Sequence, residues 1–158
     1  MSGSRPPGDG AARIRGATVL QRGREKAFRP LPPDARRSAL AAFLAAYDAG
    51  DHFEAHELLE PAWMGTDDPA ERDLHQGLIK LAAAFVHAGR GNPHGVRKNL
   101  VGARARLADA VEAGRAYGID VTPIVADIDG RLAAAGGGGG PGLALPAISI
   151  PRRGSAEG

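Results

Sequence analysis

The stretch from Asp51 to Gly95 gathers His52, Glu54, His56, Glu57, Glu60, Trp63, His75, Gln76, Lys80, His87 and Asn92 on segments that otherwise carry the apolar spacing of core helix. The chain's single Trp and its five His all fall within it. Polar side chains at this density on apolar helices cost desolvation free energy unless they pair or bind something, so they predict either a buried hydrogen-bonded network or a ligand site. His52, His56, Glu60 and Trp63 follow one another at steps of four, four and three. They therefore share a helical stripe, with Glu57 beside it.

Two chemistries fit these residues. The run His56-Glu57-Leu58-Leu59-Glu60 has the spacing of the zinc-protease helix H-E-x-x-H, with Glu60 in place of the second His. With His75 as a third donor, His56, Glu60 and His75 form a candidate ligand set for a divalent metal, and Glu57 a candidate general base for hydrolysis. The simpler reading is an ion-pair network in which Lys80 neutralises Glu57 or Glu60, Gln76 bridges, and the imidazoles supply a donor and an acceptor. Either way a small polar pocket is expected, lined by His56, Glu57, Glu60, Trp63 and Gln76. Trp63 also serves as a core anchor, and His87 and Asn92 mark a second position whose partners come from neighbouring helices or from the turn at Asn92.

About five helices must position these groups. The first runs from Asp34 to about Ala49, with Leu40, Phe43, Leu44 and Tyr47 on one stripe and Gly50 as its stop. The second opens at Asp51, whose spacing to Glu54 is that of a capping box, and ends near Gly65. Asp68-Pro69 starts a third, which buries Leu74, Leu78, Leu81 and Phe85 and stops near Gly89; Asn92-Pro93 starts a fourth, with Val96, Leu100, Ala103 and Leu107 inward as far as Gly118. A fifth follows Thr122-Pro123. The short connection at residues 65–67 folds the second and third helices into an antiparallel hairpin, in which His56 and Glu57 are expected to face Gly77 and Gln76. No alternating strand pattern stands out in residues 34–134.

Outside that body, residues 1–33 are rich in Arg, Gly and Pro and carry seven basic and two acidic groups. They predict a basic arm, with Phe28 and Leu31 docking on the bundle. Residues 135–158, with five successive Gly from Gly136 to Gly140, predict a flexible tail. Without Cys there is neither a disulfide framework nor a thiolate centre. The apolar runs are too short for a signal peptide or a membrane span, so the expected location is the cytoplasm. The Arg-rich arm lacks interleaved aromatic residues, which argues against nucleic acid as a partner, and no P-loop or dinucleotide fingerprint is present.

The segments FEAHELLEPAW (Phe53–Trp63) and QGLIKLAAAFVHAGRGN (Gln76–Asn92), followed by an Ala- and Leu-rich helix, resemble the bacterial and archaeal family called domain of unknown function 309 over about residues 36–132. The matching positions are Phe53, Glu54, His56, Glu57, Glu60, Trp63, Gln76, Gly77, Leu78, Ala82, His87, Gly91 and Asn92; Lys80 departs from the apolar or Gln-like residue expected there. The resemblance implies a small all-helical bundle and supplies no reaction. The function that needs the fewest coincidences is a non-enzymatic module binding a protein partner or a second copy of itself. The alternative is a metal-dependent hydrolase using His56, Glu60, His75 and Glu57.

Overall fold

Three helix starts follow from one rule, that an N-cap oxygen must accept an N–H which the first turn leaves unpaired. In the computed structural model, which describes residues 18–21, 24–136, 143 and 146–152, Asp51 Oδ1 accepts from the Glu54 N–H at 3.3 Å and opens α2 (His52–Met64). Asp68 Oδ2 accepts from Glu71 N–H at 3.1 Å and opens α3 (Pro69–Gly89). Asn92 Oδ1 accepts from Gly95 N–H at 3.2 Å and opens α4 (Pro93–Ala108). Before them lies α1 (Pro33–Asp48), which stops at Gly50 in a left-handed conformation, φ 84°. After them come α5 (Val111–Ala116) and α6 (Val121–Ala135).

The body is all-helical, with six helices among the described residues where about five were expected. The extra one arises because the fourth expected helix breaks at Asp109-Ala110, where the Asp109 and Ala110 N–H groups turn back to Arg106 O and Leu107 O. Buried Gly114 then sets how the next helix packs: a Cβ on it would lie 2.5 Å from Val121 Cγ2 and 3.0 Å from Ile119 O, so only Gly lets α5 sit against the start of α6. A short antiparallel hairpin, β1 (Thr18–Gln21) with β2 (Arg24–Ala27), precedes the body, pairing Thr18 with Ala27.

The core is organised around α3, which is buried on nearly all sides between Glu71 and Phe85. Against it pack Ala55, Leu59 and Ala62 of α2 and Val96, Leu100, Ala103 and Leu107 of α4, with Leu40, Phe43 and Tyr47 of α1 and Val121, Ile124 and Ile128 of α6 completing the apolar interior. At Gly77 it lies close against α4, where a Cβ would meet Leu107 Cδ2 at 2.7 Å. No helix of the described residues is long and apolar enough to cross a membrane.

The two arms dock. Arg29 N–H donates to Met64 O at 2.8 Å and Leu31 N–H to Gly65 O at 3.0 Å, which seats residues 28–31 on the α2–α3 connection as expected for Phe28 and Leu31. Buried Gly65 makes room, since a Cβ there would lie 2.4 Å from Leu31 Cβ. The tail departs from the expectation of a free segment. Leu143, Ile148 and Ile150 are buried, Tyr47 OH donates to Ile148 O at 2.6 Å, and Asp120 N–H donates to Pro151 O at 3.0 Å. The periodicity that marks helices says nothing about an extended segment that buries every second residue, and that is how Ile148 and Ile150 reach the core. Residues 137–140 of the pentaglycine, and residues 1–17 and 153–158, where free arms were also expected, lie outside the described residues. Truncating Ile148 to Ala removes a fully buried side chain and is expected to cost roughly 2 to 4 kcal/mol in urea denaturation; an unchanged midpoint would show the tail undocked.

Candidate functional site

One residue of offset decides how the α2 stripe is presented. Ala55, Leu59 and Ala62 take the core face, and His56, Glu60 and Trp63 each follow one of them in sequence, which rotates them by about 100°. They come to lie at the edge of the helix. The side chain of His56 is 27% exposed, that of Glu60 42% and that of Glu57 55%, so the buried network expected there is instead a ridge open to solvent. His56 Nε2 lies 3.7 Å from Glu60 Oε2, and Nδ1 lies 4.0 Å from Glu57 Oε2. Phe53, 52% exposed, stacks on the same imidazole with ring centroids 6.1 Å apart. Gly77 turns its Cα face toward Leu107 of α4.

His75 is turned elsewhere. It is fully buried, with Nε2 3.1 Å from Glu71 Oε2 and its ring edge-on to Tyr117. Among the described residues no three His, Asp or Glu side chains gather as a metal site, so His56, Glu60 and His75 do not form the ligand set expected of them. The reason is again rotational: His75 lies one turn beyond Glu71 on α3, and its partners are Glu71 itself and the ring of Tyr117, just past α5.

The polar centre the structure builds is at Glu71 and Arg72. Arg36 Nε donates to Glu71 Oε2 at 2.6 Å, and His75 and Tyr117 also hydrogen-bond to this carboxylate. Since an ionised carboxylate only accepts, His75 donates through Nε2, which leaves its buried Nδ1 without a hydrogen bond. Burial works to raise the Glu71 carboxyl, but the bonds from His75, Tyr117 and Arg36 outweigh it and hold the group at about 2. Burial and the bond to Glu71 push the Tyr117 hydroxyl above its usual value. Next in sequence, fully buried Arg72 donates to Trp63 O at 3.1 Å, Thr66 O at 2.9 Å and Ala27 O at 3.5 Å, with its guanidinium 5.3 Å from the centre of the Trp63 ring. Glu71 was missed because Asp68 and Glu71 read as a helix start. The four-residue step from Glu71 to His75 was the available signal.

Of the partners left open for His87, the structure brings the turn at Asn92 to it. Asn92 Nδ2 lies 3.0 Å from His87 Nδ1 while its Oδ1 caps α4, and Gly95 makes room for the pair, since a Cβ there would lie 2.5 Å from His87 Nδ1. Gln76 and Lys80 are half-buried on α3, one turn apart. A groove of about 380 Å³ lies elsewhere than the pocket expected beside His56: it is lined by Phe28, Pro30, Leu31, Pro32, Arg36, Gly65, Thr66 and Asp67.

With this geometry in view, the family model described as domain of unknown function (DUF309) matches residues 40–99. That stretch is a DUF309 domain. It runs from the middle of α1 into α4, and so contains the α2 ridge, Glu71, Arg72 and His75, and the His87–Asn92 turn; Arg36, Tyr117 and the docked tail lie outside it. No curated protein and no solved structure matches the chain.

Because the folded Glu71 carboxyl titrates below its unfolded value of about 4.5, its contribution is fully present above that value and is lost as pH falls toward about 2. Glu71→Gln is expected to destabilise the neutral protein by roughly 3 kcal/mol, by stranding Arg36, and to flatten the acid limb of a stability-against-pH curve. Glu57→Ala on the exposed ridge is expected to stay within about 0.5 kcal/mol of the parent in the same denaturation series.

Proposed function

We propose that this chain is a non-enzymatic binding module and that the solvent-facing ridge of α2, formed by Phe53, His56, Glu57 and Glu60, is where it meets a protein partner. The observation that carries this reading is the exposed Phe53 ring stacked on His56 with Glu54, Glu57 and Glu60 around it. An aromatic side chain left half in water gains free energy when a partner covers it, and carboxylates around it favour a partner that brings cations. Protein interfaces use the same arrangement, an apolar anchor inside a charged rim. The buried Glu71 group serves folding in this reading, because its hydrogen bonds are spent on Arg36, His75 and Tyr117. Glu57 would act as a rim charge and not as a general base, since the candidate ligands His56, Glu60 and His75 do not converge beside it.

The partner is accordingly a protein segment carrying Lys or Arg next to an apolar side chain that can cover Phe53. A displayed library of random peptides tests this. The parent protein is expected to enrich basic–apolar sequences, and the double charge reversal Glu57→Lys/Glu60→Lys or the single change Phe53→Ser is expected to abolish that enrichment while melting like the parent. Recovery of the same peptides by the charge-reversed protein, or no enrichment by the parent, overturns the reading.

A further inference from the structure

Residues 146–152 lie on the body as a bound peptide lies on a receptor. Two aliphatic side chains two positions apart, Ile148 and Ile150, are buried. Tyr47 OH donates to Ile148 O at 2.6 Å, Asp120 N–H donates to Pro151 O at 3.0 Å, and Arg152 Nη2 lies 2.8 Å from Asp48 Oδ2. Arg152 also pairs with Ile119 in an antiparallel bridge. Main-chain hydrogen bonds that give affinity, together with pockets for alternate side chains, are the means by which proteins read extended segments.

The walls of this cleft are built without the tail. Tyr47, near the end of α1, packs its ring against Phe43, His52 and Phe85, with centroids 5.7, 5.0 and 6.4 Å away. Ile119 N–H donates to Gly114 O at 2.8 Å, which holds the α5–α6 connection. Burial pushes the Tyr47 hydroxyl well above its usual value, so it stays a donor at neutral pH. Donors fixed in this way are preorganised for an acceptor from any extended segment. Tyr47 and Asp48 lie within the stretch matched as a DUF309 domain and residues 143–152 lie outside it, so the family stretch supplies one wall of the cleft but not the segment that fills it. The join to the tail, residues 136–142, is six glycines and one proline. Glycine has no side chain with which to guide the tail into place, so docking rests on the tail's own contacts.

We infer that the cleft between the end of α1 and the α5–α6 connection is a recognition site for an extended segment of another protein, carrying two aliphatic side chains two positions apart and then Pro and Arg, and that residues 146–152 occupy it in cis until such a segment displaces them. A tethered segment competes with one in solution at its effective concentration, which is on the order of millimolar for a short linker. The whole chain therefore responds only to a partner that is locally concentrated or fits the cleft better than the tail does. The cleft uses no residue of the α2 ridge, so the two proposals stand or fall separately.

The test titrates the full chain, labelled with nitrogen-15, with an end-blocked peptide of sequence Pro-Ala-Ile-Ser-Ile-Pro-Arg. The amide signals of residues 148–150 are expected to move to the positions of an undocked segment, half-way at a peptide concentration on the order of millimolar, while those of α3 stay where they are. A tail that is a fixed part of the fold would be released only on unfolding. Ile148→Ala weakens the tail and leaves the cleft walls intact, so it is expected to lower the half-saturating peptide concentration by about tenfold or more. Arg152→Glu is expected to act in the same direction and serves alone if the Ala variant folds poorly. Asp48→Lys is expected to prefer the peptide carrying Arg152→Glu over the original peptide. Glu57→Lys/Glu60→Lys on the α2 ridge is expected to bind the peptide as the parent does. If neither the parent nor the tail variants bind, if the tail variants bind no better than the parent, if a scrambled peptide binds equally well, or if the ridge reversal removes binding, the inference is overturned. A dimer of the parent that the peptide dissolves would give the cleft to a second copy and overturn the assignment to another protein.

Discussion

A guanidinium removed from water must have its donors met by fixed acceptors, because stranding even part of that charge costs more than most single contacts return. Arg72 imposes this demand at the point where α2, the α2–α3 connection and the N-terminal hairpin meet. Its acceptors are carbonyls of Trp63, Thr66 and Ala27, so the end of one helix, the loop after it and the end of β2 are set relative to α3 by one side chain. The Trp63 ring covers the guanidinium. With that corner fixed, residues 29–31 find the open carbonyls of Met64 and Gly65, and the arm follows the body.

Glu71 and Arg72 are adjacent in sequence, opposite in charge and turned to different neighbours. Glu71 draws α1 and α5 toward α3 through Arg36 and Tyr117, while Arg72 secures α2 and the hairpin. The first turn of α3 thus ties together elements that come before and after it in the chain. Apolar contacts would hold the helices together as strongly, but they would tolerate a rotation of α3 that directed hydrogen bonds do not. The α2 ridge depends on that fixed rotation, since it consists of residues at the margin of a core face.

The helices were legible because caps and periodicity agreed: Asp51, Asp68 and Asn92 each announced a start, and Val96, Leu100, Ala103 and Leu107 announced a face. Rotation about a helix axis is harder to read. Ala55 and Ala62 outcompete His56 and Trp63 for the core by one residue's turn, and two alanines are a weak signal beside a His, two Glu and a Trp. The polar centre was hidden for a different reason. Its members Arg36, Glu71, His75 and Tyr117 are spread over more than eighty residues of sequence, and each has an ordinary local role, Glu71 above all as a first-turn acid beside its cap. The tail carried no helical period and so left no trace in a search for one.

The docking of residues 146–152 also bears on the order in which the molecule can assemble. Tyr47 and Ile148 are 101 residues apart in sequence, and Asp48 and Arg152 are 104 apart. Contacts that distant are entropically costly until the chain between them has condensed, so they form late. During synthesis α1 to α3 exist well before Ile148 and Ile150 are made, and at a translation rate of roughly 5 to 20 residues per second the apolar surface beside Tyr47 stays uncovered for several seconds. The nascent chain is therefore exposed to faulty association at the end of α1 until Ile148 and Ile150 have been made and close it.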